Sequence, residues 1–409
     1  MLGRYIKSLP LEDLPTFWTS DECELLSGTT LLPALVNKLR SLRREYVKAV
    51  GRILKAAKRF RATQAAAEAF LSFQRFRWLT SSIRFDDFCV AVEHTRWYRL
   101  VGDEIDFDDW KLIDAMYRSR ALDYPGIGHC MVPCIDMANH ASHQNTVAVY
   151  EVDKDGDAVL LLRDGKTLEK GNEVTISYGD EKGACEMLYS YGFLEKEMDS
   201  AKSVFVALTI PEDDLQRSGK EAIAGCAPGA KLIDVGVATI DFDGDYIWLL
   251  CINQEDGLRF DIAQTVDGQQ EMHALFNEHE ITDGAAQIKN LLQKSDLHEV
   301  YQLRAFVRLQ ERVQEQMSAL TDEQEDIQEK AHGPGTSIST FKFETIMKLR
   351  HFEFELLEQA YEYFAVEVCI YHAYDTLSST INSVDLLEMP STDWLHLIDR
   401  LPERLTMNA

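Results

Sequence analysis

Apolar and polar positions follow three successive patterns along the chain. Over residues 10 to 122 hydrophobic side chains recur at helical spacing, and Thr19-Ser20-Asp21-Glu22 supplies an N-cap and first turn ahead of "CELLSGTTL". Within "KLRSLRREYVKAVGRILKAAKRFR" the residues Leu39, Leu42, Val47, Val50, Ile53 and Leu54 predict a surface helix with a basic, solvated face. Strand character then takes over. "NTVAVYEV", "AVLLLRD" and "EVTISYG" are rich in β-branched and aliphatic residues, and the turn cluster "DKDGD" is expected to close a hairpin between the first two. "GACEMLYSYGFLE" reads as a short helix running into an extended stretch, and "SVFVALTI" and "VATIDFDGDYIWLL" continue the strand-like pattern. From about residue 270 the chain reads as long helices. Leu349, Phe352, Leu356, Tyr363, Val366 and Ile370 form a stripe that predicts an amphipathic helix over 340–376, and such a stripe is core packing. "TDEQEDIQEKAHGPGTSIS", acidic and then rich in Gly, Pro and Ser, is expected to connect that helix to the one before it.

A chain of 409 residues exceeds one compact core and predicts two domains, which its 45% hydrophobic content can fill. No apolar run reaches the roughly 18 residues of a membrane span, so no membrane partner is expected. The formal net charge of −26 argues against nucleic acid as a partner and favours basic protein segments. "MLGRYIKSLPLEDLPTFW" has neither a signal-peptide core nor transit-peptide character, and the eight cysteines are scattered as reduced thiols are, so a cytoplasmic or nuclear home is expected.

Candidate chemistry concentrates in "MVPCIDMANHASHQNT". His129, Cys130, Cys134, His140 and His143 fall within fifteen positions, but without a CxxC, a second cysteine pair or an HExxH no metal site is expected. Cys130 and Cys134 read as small apolar residues flanking a buried "MVP". The absence of GxSxG removes the usual signature of a nucleophilic hydrolase, while an acid paired with Asp136 stays open in so acidic a chain.

The stretch gains meaning from its neighbours. Ser119-Arg120 precedes it; Val132-Pro133 through Asp136 to Asn139-His140 forms it; Lys170-Gly171 through Glu173-Val174 to Tyr178-Gly179, and then Tyr191-Gly192-Phe193, follow. Together they resemble the pattern of the SET-domain methyltransferases, specifically the group of the plant Rubisco large-subunit lysine methyltransferase. "YIKSLP" and "LSGTTL" fit the same group.

The resemblance implies an α+β chain. A SET-domain β-fold with a pseudoknot would occupy residues 1–200, with a helical insert at about 20–115, and a mostly helical substrate-binding-type domain would occupy 201–409. It also implies a protein-lysine N-methyltransferase that uses S-adenosylmethionine (AdoMet) on a protein substrate, with the acceptor open between lysine and histidine. Under it Tyr178 is the catalytic tyrosine, Arg120 pairs with the cofactor's methionine part, and Asn139 and His140 hold the cofactor largely through backbone and amide groups. Tyr191 and Phe193 wall the pocket, and Asp136 braces the loop by bonding backbone amides. The group's Gly-x-Gly strand is expected ahead of "YIKSLP", so the chain reads as beginning inside the domain. The alternative is a catalytically impaired SET-derived module that binds basic partners.

Overall fold

The computed structural model describes residues 9–10, 13–61, 106–264, 270–322, 327 and 338–381. The chain divides into two compact units, residues 1–24 with 31–197, and residues 25–30 with 198–409.

The first unit opens with α1 (Ser20–Glu24) and α2 (Leu31–Arg61). The predicted cap at Thr19 is a reciprocal box: the Glu22 amide donates to Thr19 Oγ1 at 3.3 Å and the Thr19 amide to Glu22 Oε2 at 2.9 Å. On α2, Leu35 and Leu42 are buried whereas Val47 is 59% exposed, so the apolar stripe is narrower than its sequence suggests. Residues 62–105 of the predicted helical insert lie outside the described residues.

Helix α3 (Phe107–Arg120) leads into the hairpin β1 (Leu122–Tyr124) and β2 (Gly128–Cys130). Gly126 and Gly128, at φ of 77° and 86°, make the turn of that hairpin. Next come β3 (Asn139–His140), β4 (Ala148–Val152), β5 (Ala158–Leu162), β6 (Thr175–Ile176) and α4 (Ala184–Tyr191). β4 and β5 pair antiparallel across "DKDGD", where Asp153 Oδ1 accepts the amides of Asp155 and Asp157, both at 2.9 Å. Leu122, Tyr124, Ala148 and Ile176 form a core around which Val132, Ile135, Tyr150 and Tyr178 pack. "EVTISYG" yields only a two-residue strand, because its pairing with β3 is equally short.

The second unit contains the sheet β7 (Ser203–Ala207), β8 (Gly229–Gly236) and β9 (Thr239–Asp243), with α5 (Arg217–Ile223) between β7 and β8. "YIWLL" is helix α6 (Tyr246–Leu250), not the end of a strand: four of its five side chains are buried, so the run carries no period to read. A second sheet comprises β10 (Leu258–Gln264), β11 (Gln270–Phe276) and β12 (His279–Ile281), of which β11 and β12 occupy the start of the region that reads as helical from residue 270. Helices α7 (Gly284–Leu292), α8 (His298–Asp322) and α9 (Thr340–Ile381) follow, and most of the connection before α9 lies outside the described residues. On α9 the buried line runs through Leu349, Phe352 and Leu356 as predicted, then Leu357, Ala360 and Phe364, leaving Val366 and Ile370 38% and 43% exposed. A straight helix turns about 100° per residue, so a strict three-four stripe drifts off the core over such a length.

Residues 25–30, "LLSGTT", belong to this second unit and are gripped by α8 and α9. Leu25 and Leu26 are fully buried. Gln316 donates to the Gly28 carbonyl at 2.6 Å, and Arg350 donates to the carbonyls of Ser27 and Leu320. Glu353, wholly buried, accepts the Thr30 amide at 2.9 Å and the Thr30 hydroxyl at 2.6 Å.

Burial raises the Glu353 carboxyl from 4.5 to about 7, against the pull of the Thr30 bonds and Arg350. An acid raised on folding binds its proton more tightly in the native state. Stability is therefore expected to fall as pH rises from about 4.5 to about 7, by on the order of 3 kcal/mol from this group, and to level off above. Glu353→Gln keeps an acceptor for the amide and a donor for the hydroxyl. Urea titrations across that pH range are expected to show this component missing in the variant; an unchanged slope would exclude Glu353 as its source.

Candidate active site

Helix α3 delivers Arg120. Its N-terminus is held by a box in which the Asp109 amide donates to Asp106 Oδ1 at 3.0 Å and the Asp106 amide to Asp109 Oδ2 at 3.1 Å. Its last turn is fastened to α4 by Arg118, which donates to the Tyr189 carbonyl and lies 4.3 Å over the Tyr189 ring. Two residues further along, Arg120 is 7% exposed and its Nη1 donates to the Asp136 carbonyl at 3.1 Å.

The loop that receives Arg120 is wound tightly. Cys134 takes a φ of 80°, a rare value for a side-chain-bearing residue, before a single 3-10 turn at Ile135–Met137. Between half-buried Cys130 and exposed Cys134, Met131 and Val132 are half-buried and Pro133 is exposed, so the two cysteines do not flank a buried segment as the sequence suggests. Asp136 is 3% exposed. Its part in the loop runs through the main chain: its amide donates to Val132 O at 3.0 Å and its carbonyl takes Arg120. The carboxylate, expected to bond loop amides, has both oxygens buried and meets no partner at full hydrogen-bonding geometry among the described residues. The amides of Cys134 and of Asp136 itself still pull its pKa down, but burial outweighs them and pushes it up to about 6.

β3 pairs parallel with β6, Asn139 opposite Thr175 and His140 opposite Ile176, and the Ala141 amide extends the pairing to Ile176 O at 3.0 Å. Asn139 donates from its side chain to Glu173 Oε1 at 2.5 Å. His140 turns inward. Its Nδ1 lies 3.0 Å from the Tyr178 amide and its Nε2 2.9 Å from Glu195 Oε1. A backbone N–H only donates, so Nδ1 accepts and the ring proton belongs on Nε2, facing the carboxylate.

Four rings gather on this pair of strands. Tyr178 lies 4.5 Å from Tyr191 and 5.1 Å from His140, and Phe193 lies 6.2 Å from His140 and 6.4 Å from Tyr191, all between centroids. The Tyr178 hydroxyl donates to the Ala138 carbonyl at 2.9 Å, which fixes the direction of its O–H. Burial, reinforced by Glu186 and Tyr150, pushes the Tyr191 hydroxyl up to about 12 and keeps it neutral. Gly192 supplies the left-handed end of α4 at φ 81°, where a Cβ would stand 2.9 Å from Asp13 O, and so swings Phe193 back toward the group.

Arg120, Asp136, Asn139, His140 and Tyr178 thus converge on one loop and strand pair, and Tyr191 and Phe193 join them through ring contacts. Glu195 and Glu173 were not among the candidates. Glu173 stands inside the motif that ends at Tyr178-Gly179 but carries no role there, and nothing in so acidic a sequence distinguishes Glu195, although it lies just two positions after Phe193. Among the described residues no group of three or more His, Cys, Asp or Glu side chains is arranged to hold a metal ion.

A parallel pair carrying Asn-His, the arginine-bearing helix before it and the Tyr-Gly-Phe segment packed against it define a SET-domain fold of the Rubisco large-subunit methyltransferase type. Comparison with known proteins agrees. The family model described as cytochrome c lysine N-methyltransferase 1 matches residues 123–218. SET domain-containing protein 8 of Schizosaccharomyces pombe is 26% identical over 313 residues, covering 74% of this chain and 59% of that protein. N-lysine methyltransferase setd6 of Xenopus laevis is 25% identical over 184 residues, covering 45% and 33%. The chain therefore spans less than two thirds of the curated relatives it matches. Among solved structures, the SET domain of LSMT bound to lysine and AdoHcy superposes with a TM-score of 0.55 at 17% identity, over 98% of this chain and 79% of that one. Rubisco LSMT bound to AdoMet gives 0.53 at 16%, over 96% and 77%.

Proposed function

We propose that the protein is an AdoMet-dependent protein-lysine N-methyltransferase. The observation that carries the reading is the convergence of Tyr178, Tyr191, Phe193 and His140 on the β3–β6 pair beside the buried Arg120. The relatives named as lysine methyltransferases, and the solved neighbour that holds AdoMet, support it.

The residues suit such a cofactor. Arg120 offers a buried cation to a carboxylate, and Asp136 offers a buried carboxylate to an ammonium. The aromatic faces suit a sulfonium. Asn139 and His140 contribute main chain, because their side chains are committed to Glu173 and Glu195. When bound, AdoMet supplies an electrophilic methyl group.

The chain's own work is positional. A free lysine has pKa near 10.4, so at pH 7.4 only about one in a thousand is a neutral nucleophile, a deficit of roughly 4 kcal/mol. Aromatic walls that exclude water lower that pKa. The Tyr178 hydroxyl, its proton turned to Ala138 O, presents oxygen lone pairs to the acceptor amine and orients it without acting as a strong base.

The target is a lysine in a basic protein segment. The charge of −26 supports this, as does a groove of about 1240 Å³ in the second unit, where Lys220, Arg304 and Arg308 are each tied to a carboxylate while Asp213 and Glu255 form no ion pair among the described residues. That none of the seven cysteines among the described residues is in a disulfide suits a reducing compartment, the cytoplasm or nucleus. The test is transfer of radiolabelled methyl from AdoMet to protein in cell extract, with titration calorimetry of AdoMet. Micromolar binding and a labelled lysine are expected; binding of basic segments with no label at any AdoMet concentration would reduce the protein to an interaction module.

A further inference from the structure

We infer that Glu195 is a positioning residue for Tyr178, acting through the tautomer of His140. The inference rests on the reading of Tyr178 as the catalytic tyrosine. Glu195 is 7% exposed and its two oxygens are used separately: Oε1 meets His140 Nε2 at 2.9 Å and Oε2 accepts the Ser142 hydroxyl at 2.6 Å. His140, whose side chain is 3% exposed, passes the constraint on, since its Nδ1 accepts the Tyr178 amide at 3.0 Å. The chain of bonds runs from carboxylate to imidazole to the main chain of the tyrosine. It is a separate attachment from the Tyr178 hydroxyl bond to Ala138 O.

Polarity makes the arrangement directional. A carboxylate at Nε2 selects the Nε2–H tautomer and so leaves a lone pair on Nδ1. The opposite tautomer, or an imidazolium, sets an N–H against the Tyr178 N–H and pushes the tyrosine off its place. Glu195 therefore fixes where the hydroxyl stands without touching the reacting atoms. Ser142 holds the carboxylate, and the β3–β6 pairing holds the main chain of residues 139 and 140 independently. Turnover should accordingly respond more than cofactor affinity, because small displacements of a reacting group cost up to about a hundredfold in rate.

The test uses the whole protein with isotope-labelled histidine. In the unsubstituted protein the His140 ring nitrogens are expected to report a single neutral Nε2–H form with Nδ1 accepting; an Nδ1–H form or an imidazolium would overturn the inference without any variant. Glu195→Ala leaves the Tyr178 amide to select the tautomer alone and is expected to admit some Nδ1–H form, speed hydrogen exchange at the Tyr178 amide, and lower kcat about 10- to 100-fold with KM for AdoMet within about threefold. Glu195→Gln can accept from Nε2–H through its oxygen and donate to Ser142 through its nitrogen, so it should restore the single tautomer and most of kcat. An unchanged tautomer and amide protection in Glu195→Ala, or a Gln variant as impaired as Ala, would overturn the role. If the unsubstituted protein transfers no methyl, the proposed function fails, while the His140 and Tyr178 signals still decide whether Glu195 sets the ring.

Discussion

Tyr178→Phe is expected to lower methyl transfer by about two orders of magnitude or more while leaving AdoMet affinity within a few fold. The phenyl ring keeps its place against Tyr191 and His140 and its packing on the Leu122, Tyr124 and Ile176 core, so the walls survive. What disappears is the hydroxyl and its bond to the Ala138 carbonyl. Losing that bond costs roughly 1 kcal/mol of stability. The larger loss is catalytic: a dipole oriented before the reaction begins is commonly worth about 100- to 1,000-fold in a water-excluded site. Single-turnover transfer of labelled methyl, alongside calorimetric titration, separates the two effects. Equal rates in the variant would remove Tyr178 from the chemistry.

Gly28→Ala is expected to destabilise the second unit by about 3 kcal/mol. Two costs add. Gly28 has a φ of +76°, where an L side chain costs about 1–2 kcal/mol, and its added Cβ would stand 2.3 Å from Ala319 O on α8. That oxygen belongs to helix main chain and cannot rotate away, so the segment must lift, loosening the Gln316 bond to the Gly28 carbonyl. Gly156→Ala is the internal control. At φ +87° it bears the same conformational cost but has nothing within 4 Å, so about 1 kcal/mol is expected. Urea midpoints of the two variants should differ accordingly; equal midpoints would mean that residue 28 is not held against α8.

The sequence reveals the site better than the supports beneath it. Ser119-Arg120, Asn139-His140, Tyr178 and Tyr191-Gly192-Phe193 are recognisable because each combines unusual residue types at fixed spacing. The "DKDGD" hairpin is legible because its turn chemistry is local. Glu195 is not, since it acts on a ring 55 positions away and looks like any other surface acid. The burial of the Asp136 carboxylate is a property of the folded loop alone. "YIWLL" and the strands at 270–281 escape for a different reason: short, largely apolar or mixed runs lack a period, and tertiary packing decides between helix and strand.

The grip on residues 25–30 also sets an order of events at the ribosome. Thr30 and Glu353 are separated by 323 positions. At roughly 5–20 residues per second, Leu25, Leu26 and their neighbours emerge on the order of tens of seconds before α9 exists to receive them. Through that interval the nascent chain displays a short leucine-bearing strip whose burial waits for late synthesis, the kind of transiently exposed surface that makes chaperones necessary. A ribosome stalled before α9 would leave the strip exposed indefinitely, so quality control of this protein should act on residues 25–30 even when the fault lies in α9.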